Sequence, residues 1–413
     1  MTVLRYITAG ESHGKALTGI IEGIPSGLSL YADDIDRDLL RRQGGYGRGG
    51  RMKIESDHAE ILSGVRWGKT IGSPITLLIE NRDFKNWAEG MSSDASAEGS
   101  IPAVTRPRPG HADLTGALKY NHRDVRNILE RSSARETAMR VALGAVAKKF
   151  LSGFGVRTGS YIVQIGNRKS TIDIQKVKEK ELLDLFNRAE GSPVRCPDEK
   201  ASKSMVKLID KAIREGNSLG GIFEVFITGL PMGLGSHIQW DRKLDGRLAQ
   251  ALMSIQAIKG VEIGLGFEMG RRFGSEVLDE IFYNRKTLGV KHEMIEKTPN
   301  GLRCTPYGFY RKTNNAGGIE GGMTNGMPVI LRAAMKPIPT LRKPLRSIDL
   351  LTKEPIAAAY ERSDVCAAPA ASVIGEAMVA LTIADAFLEK FGGDSMAETR
   401  RNYDSYMEHV RKF

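Results

Sequence analysis

Apolar residues come first in short strand-like runs and later at helical spacing. Val3-Leu4-Arg5-Tyr6-Ile7 predicts a strand, Leu17-Thr18-Gly19-Ile20-Ile21 a second apolar stretch, and Pro25-Ser26-Gly27 a turn. Residues 33–42 predict an acid-started helix with Asp33 or Asp34 as N-cap. Five glycines between positions 44 and 50 cannot hold a helix, since each costs ~1 kcal/mol relative to Ala, so this segment is a loop. Residues 61–80 read as two strands. The stretch 82–108 is irregular and polar, long enough to signal function or disorder.

Helices are expected over 113–122 and over 134–151, the second rich in Ala with apolar positions at helical spacing. Strands over 157–166 and 221–230 flank a charged helical stretch at 175–215. An Ala/Leu/Met helix over 241–259 follows, then a glycine-dense loop at 313–323 and a strand at 329–334. Residues 369–391 form the longest apolar helix, closed by Gly392-Gly393. The charged segment 391–413 reads as surface helix or tail.

The 413 residues give a prior of roughly two to three domains. No stretch reads as a linker, however, and the candidate ligand loops run from residue 10 to 364, so a single domain over 1–413 is expected. No apolar run approaches the ~20 residues that cross a bilayer. No basic region followed by an apolar stretch opens the chain, so no signal peptide is expected. Cys196, Cys304 and Cys366 are odd in number and widely spaced, which argues against a disulfide framework and against a metal site, and fits a reducing cytoplasm.

The net charge of +11 calls for an anionic partner. No zinc finger, aromatic RNA-binding signature or long Lys/Arg run accompanies it. The excess instead gathers as arginines in and just after Gly/Pro-rich segments: Arg41, Arg42, Arg48, Arg51, then Arg106, Arg108, then Arg123, Arg126, Arg131, Arg135. Arginine's planar fork suits phosphate and carboxylate, which places a small polyanion ahead of nucleic acid; Arg51 and Arg106 read as solvated loop. Beside these clusters stand two of the seven histidines, in Gly10-Glu11-Ser12-His13-Gly14 and Pro109-Gly110-His111-Ala112-Asp113. Histidine exchanges a proton near neutral pH, so the pairing points to proton transfer to or from an anion.

Six blocks occur in order: Gly10–Gly14 as above, Arg108-Pro109-Gly110-His111-Ala112-Asp113, Arg131-Ser132-Ser133-Ala134-Arg135-Glu136-Thr137, Asn217-Ser218-Leu219-Gly220-Gly221, Asn315-Ala316-Gly317-Gly318-Ile319 and Arg362-Ser363-Asp364. That order closely resembles the chorismate synthase family, over residues 3 to 391. The resemblance implies a mixed α/β (α+β) fold, a layered sandwich of helices and sheets, assembled as a cytoplasmic homotetramer with no nucleic-acid or membrane partner. It implies a lyase of the shikimate pathway that removes phosphate from C3 and a proton from C6 of 5-enolpyruvylshikimate 3-phosphate, a 1,4-anti elimination giving chorismate. The family uses reduced FMN with no net redox change; whether NADPH reduces that flavin on this chain stays open.

Roles implied by the resemblance follow by position. His13 matches the histidine that protonates or steadies the departing phosphate, with Ser12 beside it able to bond it. His111 matches the histidine that keeps the reduced flavin in its working protonation state, and Asp364 the carboxylate near flavin N5. Arg42, Arg48, Arg108 and Arg135 match anion ligands on the substrate side. Flavin contacts are implied for Arg131, Ser132, Ser133, Gln256, Ala257, Gly321, Lys336, Pro337, Ile338, Pro339, Thr340 and Arg362. Ser132 and Ser133 read as the opening of a helix, a natural anion site, and Gln256 and Ala257 read equally well as the interior of the 241–259 helix. A flavin-dependent oxidoreductase is the competing reading, and it lacks a G-x-G-x-x-G that follows a strand and opens a helix.

Overall fold

The first sheet grows from the strand-like runs of the N-terminal quarter. In the computed structural model, which describes residues 3–49, 56–174, 177–283, 308–361 and 364–413, β1 (Arg5–Ala9) pairs antiparallel with β2 (Ala16–Glu22). The two-residue β3 (Glu60–Ile61), a small hairpin β4–β5 (Val65–Arg66, Lys69–Thr70) and β6 (Ile75–Glu80) account for the region read as two strands. The sheet order is β1-β2-β6-β3. Period-two alternation sends Leu17, Ile21, Ile75, Leu77 and Ile79 to one buried face and leaves Ile7 and Ile20 on the other.

The second sheet is also antiparallel, built from β7 (Arg157–Ile165), the short β8 (Arg168–Lys169), β9 (Gly221–Thr228), β10 (Ile258–Ile263) and, after the short hairpins β11–β12 (Ile281–Tyr283, Phe309–Arg311) and β13–β14 (Ile319–Glu320, Met323–Thr324), β15 (Val329–Met335). Its order is β10-β15-β9-β7-β8. Both faces are covered, so these strands read as nearly continuous apolar runs rather than alternating ones.

Helices pack between the sheets and around them. They are α1 (Ala32–Gln43), α2 (Asp113–Tyr120), α3 (Arg126–Ser132), α4 (Thr137–Ser152), α5 (Glu179–Glu190), α6 (Glu199–Glu215), α7 (Leu244–Met253), the single turn α8 (Gly274–Val277), α9 (Ala368–Phe391) and α10 (Met396–Lys412). The helix α4 lies on the first sheet, α9 lies on the second, and the two pack on each other. Gly144 makes that approach possible, because a Cβ there would lie 2.3 Å from the Ala377 Cβ. On the far side of the second sheet, Leu182, Leu185 and Ala189 of α5 cover Tyr161, Val163, Phe226 and Ile330.

Within this apolar layer sits one charge web. Glu376 of α9 is fully buried, yet its carboxylate accepts from Arg41 at 2.7 and 2.9 Å, Lys148 at 2.5 Å and Ser160 at 2.6 Å. Burial opposes its ionisation, and the charges of Arg41, Lys148 and Arg195 outweigh that and hold the carboxyl far below its usual range. The web joins α1, α4, β7 and α9.

Four local expectations change. The α1 helix starts one residue before the acidic pair: its N-cap is Tyr31, and Asp34 reaches back to accept from the Tyr31 backbone N–H at 3.1 Å. The α7 helix ends at Met253, so Gln256 and Ala257 lie in a turn, Ala257 with φ of 68°, ahead of the strand β10. Ser132 closes α3, and Ser133 caps the 3-10 turn Ala134–Glu136 that leads into α4. The helix α9 is long and apolar enough to cross a membrane, contrary to the reading of the apolar runs, but nearly all of it is buried inside the fold.

Candidate active site

A cavity of about 860 Å³ gathers residues from nearly the whole chain. Among the described residues its lining carries six cationic side chains, four carboxylates and two imidazoles. The 10–14 loop, the C-terminal end of α1, the 108–112 loop, α3, the connection to α4, the turn after α7 and the 336–340 segment all reach it.

His13 occupies one corner. Its backbone N–H donates to Glu130 Oε2 at 2.7 Å and its ring Nδ1 lies 2.8 Å from Oε1 of the same carboxylate. Burial opposes ionisation of Glu130, and the His13 contacts and Arg126 prevail, so its carboxyl sits below the usual range. Ser12 donates to Ser133 Oγ at 3.0 Å, so the ring is held by Glu130 and the serine ties the loop to the α3–α4 connection.

His111 occupies a second corner. Its Nδ1 meets Asp113 Oδ1, and Asp113 also accepts from Arg108 Nε and from the Arg108 backbone N–H, both at 2.9 Å. Burial alone would raise the Asp113 carboxyl; the bonds from His111 and Arg108 bring it down to about 2. Arg108 spans from there to Thr340 Oγ1 at 3.0 Å, and Lys336 Nζ donates to the Gly110 carbonyl at 3.0 Å. The 336–340 segment is itself set by the Asn217–Gly221 block. Ser218 Oγ donates to the Ile338 carbonyl at 2.6 Å, and at Gly220 a Cβ would stand 2.3 Å from the Met335 carbonyl oxygen.

The arginines form the floor. Arg42 donates to Thr137 Oγ1 and, at 2.8 Å, to the Ala134 carbonyl. Arg135 donates to Asn81 Oδ1 at 2.8 Å and to Asp57 at 2.5 Å. Asp57, itself buried, stands between them, with Arg42 Nη1 3.5 Å from its other oxygen. That Nη1 is buried and makes no hydrogen bond among the described residues. Full burial pushes the Arg42 guanidinium down to about 10, with Asp57 opposing and Arg48 and Arg135 adding to the fall. A cation held at such a cost gains from an anion brought next to it. Arg48 pairs with Asp364 at 2.8 Å, and Asp364 also accepts from the Gly49 backbone N–H at 2.7 Å, so this carboxylate pins the glycine-dense loop.

The cavity therefore brings together Ser12, His13, Arg42, Arg48, Arg108, His111, Ser132, Ser133, Arg135, Gln256, Ala257, Lys336, Ile338, Pro339, Thr340 and Asp364. Three expected contacts lie off its lining. Arg131 donates instead to the Thr8 carbonyl at 2.8 Å and the Gly10 carbonyl at 3.1 Å, Pro337 is exposed outside the lining, and Gly321 sits in the β13–β14 turn. Arg362 lies outside the described residues. Arg126, named only among the clustered arginines, lines the cavity too, and sequence reasoning missed Asp83, Asn86, Trp87, Glu130, Tyr360 and Glu361, which also line it. A tryptophan in an otherwise polar, irregular stretch was the available signal for the first three.

Known proteins resemble the chain over nearly its whole length. The family model described as chorismate synthase matches residues 4–388. The chain belongs to the chorismate synthase family. It is 58% identical over 412 residues to a chorismate synthase of Geobacter sulfurreducens, covering 100% of both chains, and 55% identical over 417 residues to that of Aquifex aeolicus, covering 99% of both. A crystal structure of chorismate synthase superposes with a TM-score of 0.77 at 47% identity, over 99% of each chain. The chorismate synthase fold is thus the mixed α/β layered sandwich expected, and membership makes this chain a biosynthetic enzyme acting on a small molecule.

Proposed function

We propose that the chain catalyses the 1,4-anti elimination of phosphate from 5-enolpyruvylshikimate 3-phosphate to give chorismate. The observation that supports it best is two carboxylate-anchored imidazoles facing one cation-lined cavity, with a buried Arg42 nitrogen short of a hydrogen-bond acceptor. A substrate with two carboxylates and a phosphate, beside a flavin phosphate, supplies the acceptors that lining lacks. Reduced FMN, when bound, supplies electron density and a proton acceptor with no net redox change. Ser132, Ser133, Gln256, Ala257 and the 336–340 segment would hold it, and their mixture of backbone, hydroxyl and cationic groups fits a phosphorylated ring system.

The chain's own groups then divide the work. His13 holds a proton for the departing phosphate, whose growing charge Arg42, Arg48 and Arg135 offset. Arg108 orients a substrate carboxylate while Asp113 keeps its fork in place. His111 holds a proton at the cofactor side, and Asp364 sets the glycine-dense loop over the site. The assembly proposed, on the family resemblance, is a cytoplasmic homotetramer.

An anaerobic assay with this substrate and chemically reduced FMN tests the reading. Chorismate and phosphate should appear in equal amounts with no net flavin oxidation. Folded protein that yields neither would refute it.

A further inference from the structure

We propose that Glu130 and Trp87 are positioning residues that clamp the His13 imidazole, Glu130 at its edge and Trp87 on its face, so that Nε2 is the nitrogen presented to the leaving group. The catalytic half of this inference rests on the function proposed above; the clamp itself rests on contacts alone.

Glu130 is buried on α3 and takes both the backbone N–H and the ring Nδ1 of His13, at 2.7 and 2.8 Å. An ionised carboxylate only accepts, so Nδ1 keeps its proton and the transferable proton is the one on Nε2, which the ring donates as an imidazolium whose charge Glu130 offsets. Trp87 follows the 3-10 turn Arg82–Asn86, and its ring centroid lies 4.4 Å from that of His13 at 36°. Arg126 braces both partners: its guanidinium carbon stands 4.8 Å over the Trp87 ring, and its Nη1 is 3.6 Å from Glu130.

The mounting is shared as well. Asn81, which opens the Trp87 turn, donates to the Glu11 carbonyl at 3.1 Å and the Gly14 carbonyl at 2.7 Å, on either side of His13. The Ser12 backbone N–H donates to the Glu130 carbonyl at 2.9 Å. The loop, the turn and α3 therefore carry the imidazole as one rigid unit, which is what a proton donor needs to meet a reacting atom at fixed geometry.

Trp87 emission reads the clamp without substrate or cofactor. The chain has three tryptophans, and Trp67 and Trp240 are exposed, so W67F/W240F leaves Trp87 alone. An imidazole in contact with an indole ring quenches its emission, and His13→Ala in that background gives the contact-free reference. Glu130→Gln is expected to move emission toward that reference and to lower kcat by about 10²-fold, within the contribution of a positioned proton donor, with KM little changed. Glu130→Asp should restore part of the rate. Wild-type emission in Glu130→Gln overturns the clamp, and altered emission with unaltered kcat overturns the positioning role. Where Glu130→Gln does not fold, the half-buried Trp87→Ala decides: a several-fold fall in kcat at constant KM supports the proposal, and full kcat overturns it. If the parent chain forms no chorismate, the proposed function falls and emission alone judges the clamp.

Discussion

The two histidine corners use one device at very different distances along the chain. His111 takes its carboxylate from Asp113, two residues away, and both lie in one Gly-flanked block. His13 takes its carboxylate from Glu130, 117 residues away, and its face from Trp87. Their surroundings differ too. Asp113 is shared with Arg108, so that corner couples proton transfer to anion binding. Glu130 is shared with Arg126, which pairs in turn with Glu361, so that corner is a mounting. A short motif can encode the first arrangement, whereas only the folded chain can encode the second.

The largest expected effect is common to both corners. His13→Ala and His111→Ala should each lower kcat by about 10²–10⁴ while the protein stays folded; steady-state kinetics with reduced FMN supplied check this, and a full rate in either variant removes that histidine from its role. Stability should separate them next. Asp113→Asn leaves the buried Arg108 without its anion and is expected to cost about 3–5 kcal/mol, seen as a lower urea midpoint. Glu130→Gln should cost less, since Arg126 keeps Glu361.

Binding comes third. Arg48→Ala is expected to raise the apparent KM at least tenfold, on the scale of about 1.5–3 kcal/mol for a charged hydrogen bond; an unchanged KM places Arg48 outside the substrate contacts. The smallest effect is in acid. The Asp113 carboxyl is depressed from 3.8 to about 2 in the folded state, so its stabilisation is complete above the unfolded value and is lost as pH falls from about 4 toward 2. Denaturation followed across that range should show a shallower loss in Asp113→Asn than in the parent.

Legibility in the sequence follows the same division between local and remote. The helices α4 and α9 and the strands β7 and β9 are long and strongly patterned, and they were readable to within a few residues. The turn at Gln256-Ala257 was not, because Ser254-Ile255-Gln256-Ala257 holds no glycine or proline to mark the end of α7 at Met253, and nothing in the sequence signals the positive φ of Ala257. The 336–340 segment was expected to hold a ligand only through the family resemblance, and the reason for its shape was not legible: it lies in the space Gly220 leaves for the Met335 carbonyl. Asp57 escaped notice for a related reason: one carboxylate among polar neighbours gains its meaning only when Arg42 and Arg135 arrive on either side.

Arg41 and Arg42 are neighbours in sequence with opposite destinations: one guanidinium enters the charge web of Glu376, the other enters the cavity. Detaching α1 from the helical layer therefore pulls an anion ligand out of place within a single residue. Partly unfolded forms of this chain should have no residual turnover, and loss of activity on denaturation should coincide with loss of helix in one cooperative transition.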